Sequence, residues 1–92
     1  MASKEVLVCG TLNLETTLPV DAFPLAYEPV RNLRFELRSQ PSGVGFNVAR
    51  ALTVLGNRVR LASLVGVDFL GRALRGALPE YGLTSQWVLP QL

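Results

Sequence analysis

The chain has 92 residues, of which 49% are hydrophobic and 17% charged, and its formal net charge is +2. This is the composition of one globular domain at most, and the charge is too small to indicate a nucleic-acid surface. The chain contains no histidine and one cysteine, which excludes histidine-based catalysis, a disulfide within the chain and a cysteine-cluster metal site.

The first predicted element is a strand, "EVLVCG" (residues 5–10), a short apolar run that ends in glycine. We expect both of its faces to be buried, as in a parallel sheet. The apolar core of this segment is too short for a signal peptide, and no stretch of the chain approaches the ~18 apolar residues of a membrane span. A cytoplasmic protein without a membrane partner is therefore expected.

Two strands with alternating polarity are predicted next, on either side of a proline-containing loop. Within residues 11–20, the side chains alternate with a period of two: Leu12, Leu14 and Thr16 on one face, Asn13, Glu15 and Thr17 on the other. Residues 31–39 place apolar side chains on one face and charged side chains on the other. This pattern predicts a strand with one solvent-exposed face. The apolar residues of this second strand are Leu33, Phe35 and Leu37. Residues 39–43 are predicted to form a turn.

Residues 41–56, "PSGVGFNVARALTVLG", predict a glycine turn followed by a helix. The helical spacing begins at Asn47, and Gly56 stands where a helix commonly ends. The predicted core stripe of this helix consists of Val48, Ala51, Leu52 and Leu55.

The remaining residues predict a strand, a helix and another strand. Residues 58–66 form the strand, Asp68 is a good N-cap for the helix, and Pro79 ends it. Strands that alternate with helices predict an α/β fold with a mostly parallel sheet. The final segment, "WVLPQL", carries large apolar side chains with little chain left to cover them. We therefore expect either that the chain is a fragment or that something else covers this edge of the sheet.

The glycine pair Gly43 and Gly45 has three open interpretations. A dinucleotide site needs a third glycine where Val48 stands, and the phosphate-binding pattern with Gly-Lys-Ser/Thr is absent. A purely structural role has the glycines supply turn dihedrals and has Asn47 cap the helix. In the third interpretation the turn holds a neutral, hydroxyl-rich ligand, because an asparagine amide both donates and accepts hydrogen bonds.

Asn13 and Glu15 form a second polar cluster, just after the first predicted strand. Ligands of open α/β sheets bind outside the carboxyl ends of the strands, where this cluster is expected. The carboxylate of Glu15 can accept two hydroxyl protons. An ordinary solvated loop explains the same pattern equally well.

The motifs together resemble the N-terminal part of the ribokinase-like sugar kinases, the PfkB carbohydrate kinase family. The segment "SGVGFNVARALTVLG" followed by "RVRLASLVGVDFLG" is similar to the first signature of that family, and "GTLNLE" resembles its G-x-x-N-x-D. The resemblance runs from about Val6 to the end of the chain. Two departures stand out: Ser42 and Val44 replace the usual Gly and Lys of ribokinases, and Glu15 replaces an Asp.

The resemblance implies a three-layer α/β/α ribokinase-like sandwich with a small β lid. Residues 1–92 are then the N-terminal, acceptor-binding part of a single domain, and the lid strands lie at about residues 16–38. The apolar face of the lid is expected to cover either bound substrate or the lid of a second subunit, as in dimeric members of the family. The implied sugar-contacting residues are Asn13, Glu15, Gly43, Gly45 and Asn47.

The activity implied is ATP-dependent phosphorylation of a hydroxyl on a sugar or nucleoside, with this chain supplying the acceptor-binding and lid region. The catalytic base and anion hole of the family come from a "G-A-G-D" turn, which these residues lack. We therefore expect no catalytic residue and no metal site here, ATP and Mg²⁺ sites in a C-terminal part, and no activity of residues 1–92 alone. The alternative is a small non-catalytic carbohydrate-binding or interaction module built on the same half-sheet.

Overall fold

The structure, a computed structural model, describes residues 3–29 and 36–92. Its elements confirm the α/β class. In chain order they are strands β1 (Glu5–Cys9), β2 (Asn13–Thr17) and β3 (Arg38–Ser42), helix α1 (Val44–Val54), strand β4 (Arg58–Gly66), helix α2 (Phe69–Ala77), a 3₁₀ helix (Leu78–Tyr81) and strand β5 (Val88–Gln91). None of the helices in these ranges is long and apolar enough to cross a membrane.

The main sheet has the strand order β1–β4–β5, and both pairings are parallel. Parallel strands need crossover connections, which α1 and α2 provide. Paired positions of parallel strands point to the same face, so Val6 with Val59 and Val8 with Leu61 form one side of the sheet. Both helices pack on that side, because one core cluster joins them to it. Its fully buried large side chains are Phe46, Leu61, Leu78 and Val88.

The opposite side of the sheet is uncovered in the described part of the chain. Leu7 is 62% exposed, Leu64 is 60% exposed and Leu89 is 53% exposed. The prediction that the first strand is buried on both faces is therefore wrong for these residues. The physical reason is that α1 and α2 both cross over the same face, and no described element covers the other one.

A second, two-stranded sheet pairs β2 with β3 in antiparallel register, from Asn13 opposite Ser42 to Thr17 opposite Arg38. We call this pair the flap. The predicted turn at residues 39–43 is wrong for residues 39–42. Pairing with β2 holds these four residues in an extended strand. The strand predicted at residues 31–35, including Leu33 and Phe35, lies outside the described residues. The lid boundaries at about 16–38 remain a prediction.

Helix α1 begins at Val44 rather than Asn47, and it buries a different face from the predicted one. Its buried residues are Gly45, Phe46 and Ala49. The predicted stripe is mostly exposed: Val48 is 45% and Leu55 66% exposed. Apolar residues surround most of this helix, so periodicity alone does not select a face. On the buried face, the Phe46 ring packs edge-on against the Tyr81 ring, with the ring centroids 5.1 Å apart. This contact favours the observed orientation of the helix.

The predicted helix boundary signals at Gly56, Asp68 and Pro79 are confirmed. Gly56 follows α1 with a positive φ of 94°, a conformation that favours glycine. Asp68 caps α2, since its Oδ1 accepts a hydrogen bond of 2.9 Å from the backbone N–H of Gly71. Pro79 lies in the 3₁₀ helix that ends α2.

Candidate functional site

The start of α1 is tied to the turn that follows β1. The Val44 N–H donates to Oγ1 of Thr11 at 3.1 Å, and the Phe46 N–H donates to the Thr11 carbonyl at 3.0 Å. An α-helix leaves its first four N–H groups without helical partners, and Thr11 satisfies two of them. These two amides are therefore unavailable to an anionic ligand, which argues against a phosphate cradle at this glycine turn.

The glycine pair lies directly on this contact. Gly43 has a φ of 100°, and a Cβ built on it would lie 2.7 Å from the carbonyl oxygen of Thr11. A Cβ on Gly45 would lie 2.5 Å from the carbonyl carbon of Gly10. Both distances are shorter than van der Waals contact allows. The two glycines thus allow a close approach between two segments of this chain; a close approach to a ligand remains a prediction.

Asn13 lies at the carboxyl ends of the parallel strands, as expected. It begins β2 rather than belonging to a loop. It lines one groove of about 420 Å³, formed by residues 10–13 and 62–64, and an adjoining groove of about 470 Å³ that extends to Asp68 and Gln91. Its side chain is exposed and has no hydrogen-bond partner among the described residues. The amide is available to donate and accept there.

Glu15 lies on the same face of the flap as Asn13, two residues further along β2. Its Oε2 accepts a hydrogen bond from Oγ of Ser42 at 3.2 Å, and its Oε1 accepts a long one from Oγ1 of Thr17 at 3.5 Å. An ionised carboxylate has about four acceptor positions, so Glu15 retains capacity for further hydroxyl donors. Ser42 is thereby part of the polar cluster, although its spacing of 27 positions from Glu15 gives no local signal of this contact.

Asn47 is exposed in the first turn of α1, and its own N–H donates to the Gly43 carbonyl at 2.9 Å. It is therefore inside the helix, and the suggestion that it caps the helix is wrong: Gly43 is the N-cap residue. The Asn47 side chain has no partner within residues 3–29 and 36–92.

The structure brings the predicted site residues together in two groups. Asn13 and Glu15 share the polar face of the flap with Ser42. Gly43, Gly45 and Asn47 form the start of α1, which follows Ser42 directly, and they do not line the two grooves beside Asn13.

Thr11 is the residue of this region that sequence reasoning missed. Threonine is a common capping residue, and Thr11 directly follows a strand-ending glycine. The helix that it caps, however, starts 33 positions later in the chain. A search for caps next to their own helix cannot find such a contact.

The described residues offer few ligands for a nucleotide with its metal ion. No group of three or more acidic or cysteine side chains in these ranges is placed to hold a metal ion. The first turn of α2 is occupied by the Asp68 carboxylate, and that of α1 by Thr11. A phosphate at either helix start would compete with these groups.

Two solved structures of similar fold are candidate sugar kinases. A candidate ribokinase from Agrobacterium tumefaciens aligns with a TM-score of 0.84 at 27% identity, over 97% of this chain and 28% of its own. A candidate 2-keto-3-deoxygluconate kinase from Enterococcus faecalis aligns with a TM-score of 0.71 at 26% identity, over 98% of this chain and 24% of its own.

Curated relatives are also similar over a limited part of their length. The bifunctional protein HldE of Magnetococcus marinus is 35% identical over 88 residues, which are 95% of this chain and 18% of the relative. Pseudouridine kinase of Escherichia coli is 46% identical over 39 residues, which are 42% of this chain and 12% of the relative. The chain thus spans less than a fifth of the length of these relatives. The sequence profile described as "pfkB family carbohydrate kinase" matches residues 3–91, and the chain therefore belongs to the pfkB family of carbohydrate kinases.

Proposed function

We propose that this chain is the acceptor-binding and lid part of a kinase that transfers phosphate from ATP to a hydroxyl of a sugar or nucleoside. The observation that carries the proposal is the position of Asn13. Its unpartnered amide lines grooves at the carboxyl ends of the parallel strands, with Glu15 next to it on the flap. Family membership and the sugar kinases of similar fold support the same reading.

The chemistry of the polar cluster favours a neutral acceptor rich in hydroxyl groups. An asparagine amide can donate to one hydroxyl oxygen and accept from another, and the Glu15 carboxylate can accept from a further hydroxyl. The same carboxylate disfavours an anionic group beside it, since like charges repel. We propose Asn13, Glu15, Gly43, Gly45 and Asn47 as the residues that contact the acceptor.

The nucleotide, its metal ion and the catalytic base belong elsewhere in this proposal. The N–H groups of Val44, Phe46 and Gly71 at the two helix starts are engaged within the chain, and the described residues offer no acidic cluster for a metal. We therefore assign ATP and Mg²⁺ binding to residues beyond this sequence. The isolated chain of 92 residues is then expected to have no kinase activity.

The assembly that we propose is a homodimer formed through the lid, at about residues 16–38, in the cytoplasm. Of the apolar residues suggested for this contact, Leu37 is described and is 51% exposed. A two-stranded sheet is marginally stable alone and gains from a surface to cover. Sedimentation of the intact protein and of Leu37→Asp tests this: the substitution is expected to shift the dimer towards monomer, and an unchanged dimer contradicts it.

The test of the function uses the intact protein that carries this sequence. It is incubated with ATP and a panel of neutral sugars and nucleosides, and both ATP consumption and phosphorylated product are measured. We expect product from at least one member of the panel. Binding of a panel member without ATP consumption supports the alternative, a non-catalytic binding module, and contradicts the kinase proposal.

A further inference from the structure

We infer that Thr11 is a positioning residue for the acceptor site, an inference that rests on the proposed function. The side-chain hydroxyl and the backbone carbonyl of this one residue receive the N–H groups of Val44 and Phe46, at 3.1 and 3.0 Å. Thr11 thereby joins the carboxyl end of β1 to the beginning of α1. Both groups of proposed acceptor-binding residues adjoin this junction.

Thr11 is itself held firmly by its neighbours along the chain. On one side, the Gly10 N–H donates to the Ala62 carbonyl of β4 at 3.2 Å. On the other side, Leu12 is a core residue that is only 6% exposed. The position of Thr11 is therefore fixed by the sheet and the core.

The glycine turn is in turn held against Thr11. A Cβ on Gly43 would lie 3.1 Å from Oγ1 of Thr11, so the hydroxyl occupies the space that a side chain at Gly43 would need. Replacement of the hydroxyl by a methyl group leaves the Val44 N–H without its acceptor and places an apolar group beside the turn at Gly43. We expect the turn to become more mobile as a result.

The consequence for binding follows from the placement of the two groups of residues. Asn13 lies two residues after Thr11, and Asn47 lies in the helical turn that Thr11 caps. A ligand that contacts both needs them in one fixed arrangement, and preorganisation lowers the entropy lost on binding. The Thr11 hydroxyl therefore raises acceptor affinity by holding these two groups in place, and it leaves nucleotide affinity unchanged.

The test compares Thr11→Val with Thr11→Ser in the intact protein. Valine keeps the branched shape and removes the acceptor oxygen, whereas serine keeps the oxygen. We expect Thr11→Val to raise the acceptor KM about fivefold, the effect of losing one capping interaction, with the KM for ATP unchanged. Hydrogen exchange in the segment 43–46 is expected to become faster, and Thr11→Ser is expected to restore both quantities.

The matched control is Thr84→Val. The Thr84 hydroxyl also accepts a backbone hydrogen bond, from the Gln86 N–H at 3.2 Å, but it lies in the loop before β5 and outside the proposed site. This control is expected to leave the acceptor KM unchanged. An equal rise in both variants overturns the positioning role, because it indicates general loosening.

Two further results separate this inference from the proposed function. If the wild-type protein phosphorylates an acceptor and Thr11→Val retains its KM, even with lowered stability, the positioning role is overturned and the proposed function stands. If the wild-type protein phosphorylates no member of the panel, both are overturned. Should Thr11→Val fail to fold, Thr11→Ala is measured against the same criteria.

Discussion

Gly45 and Gly76 are both helical glycines, yet their surroundings predict opposite effects of an added methyl group. At Gly45 the Cβ would lie 2.5 Å from the carbonyl carbon of Gly10, whereas at Gly76 it would meet nothing within 4 Å. We expect Gly45→Ala to lower the free energy of unfolding by about 1–3 kcal/mol through overpacking. Gly76→Ala is expected to raise it by roughly 0.5–1 kcal/mol, because alanine loses less backbone entropy in a helix. Denaturant unfolding of both variants measures the difference, and equal stabilities contradict the close contact at Gly45.

The amides of Asn13 and Asn47 are expected to contribute to acceptor affinity rather than to stability. Neither side chain has a partner among the described residues, so its removal costs the fold little. In the ligand complex, losing one such hydrogen bond is expected to weaken binding by roughly 1–3 kcal/mol. Titration calorimetry of Asn13→Ala and Asn47→Ala with an acceptor from the panel tests this.

Asn57 provides the matched control for these substitutions. Its side chain donates to the Leu52 carbonyl at 3.0 Å and accepts from the Lys4 N–H at 3.2 Å, so it is a structural asparagine. Asn57→Ala is expected to reduce stability and to leave acceptor affinity unchanged. Unaltered affinity in Asn13→Ala and Asn47→Ala, with the fold intact, would mean that these residues have no role in the site.

At the scale of single elements, the start of α2 depends on its cap. The Asp68 carboxylate accepts a hydrogen bond from the Gly71 N–H, and it also lies close to Gly66, where β4 ends. We expect Asp68→Ala to destabilise the protein by about 1 kcal/mol, the usual cost of losing an N-cap side chain. Asp68→Asn retains an acceptor oxygen and is expected to retain most of the stability. If both variants have the same free energy of unfolding as the wild-type protein, the capping role is contradicted.

At the scale of the whole molecule, the uncovered side of the main sheet sets the behaviour of the isolated chain. Leu64 and Leu89 lie opposite each other on adjacent strands, and Leu7 lies on the same face. An exposed apolar sheet face with open strand edges tends to pair with other chains. We expect the isolated chain to self-associate in sedimentation velocity experiments.

Leu64→Gln is expected to reduce this self-association while the fold persists, because Leu64 is 60% exposed. Leu61→Gln is the contrasting variant: Leu61 is fully buried under the helices, so the polar amide there is expected to unfold the chain. A monomeric wild-type chain with well-protected amides throughout would contradict the expectation for this face.

The sequence by itself determined the kind and order of most elements, the cap at Asp68, the helix stop at Gly56 and the resemblance to the PfkB family. These signals are local: a capping side chain, a glycine with positive φ and an alternation of polarity act within a few residues. The position of Asn13 shortly after the carboxyl end of β1 also followed from chain order alone.

Only the tertiary structure decided which face of α1 is buried and which side of β1 is uncovered. It also decided two contacts: Ser42 with Glu15, and Thr11 with the glycine turn at Gly43. Each of these depends on contacts between residues far apart in the chain, such as the 27 positions from Glu15 to Ser42. Apolar residues lie around most of α1, so their helical spacing alone does not identify the face that is buried. The strand register and the packing of the helices against the sheet supply that choice, and a single sequence does not encode it in any short pattern.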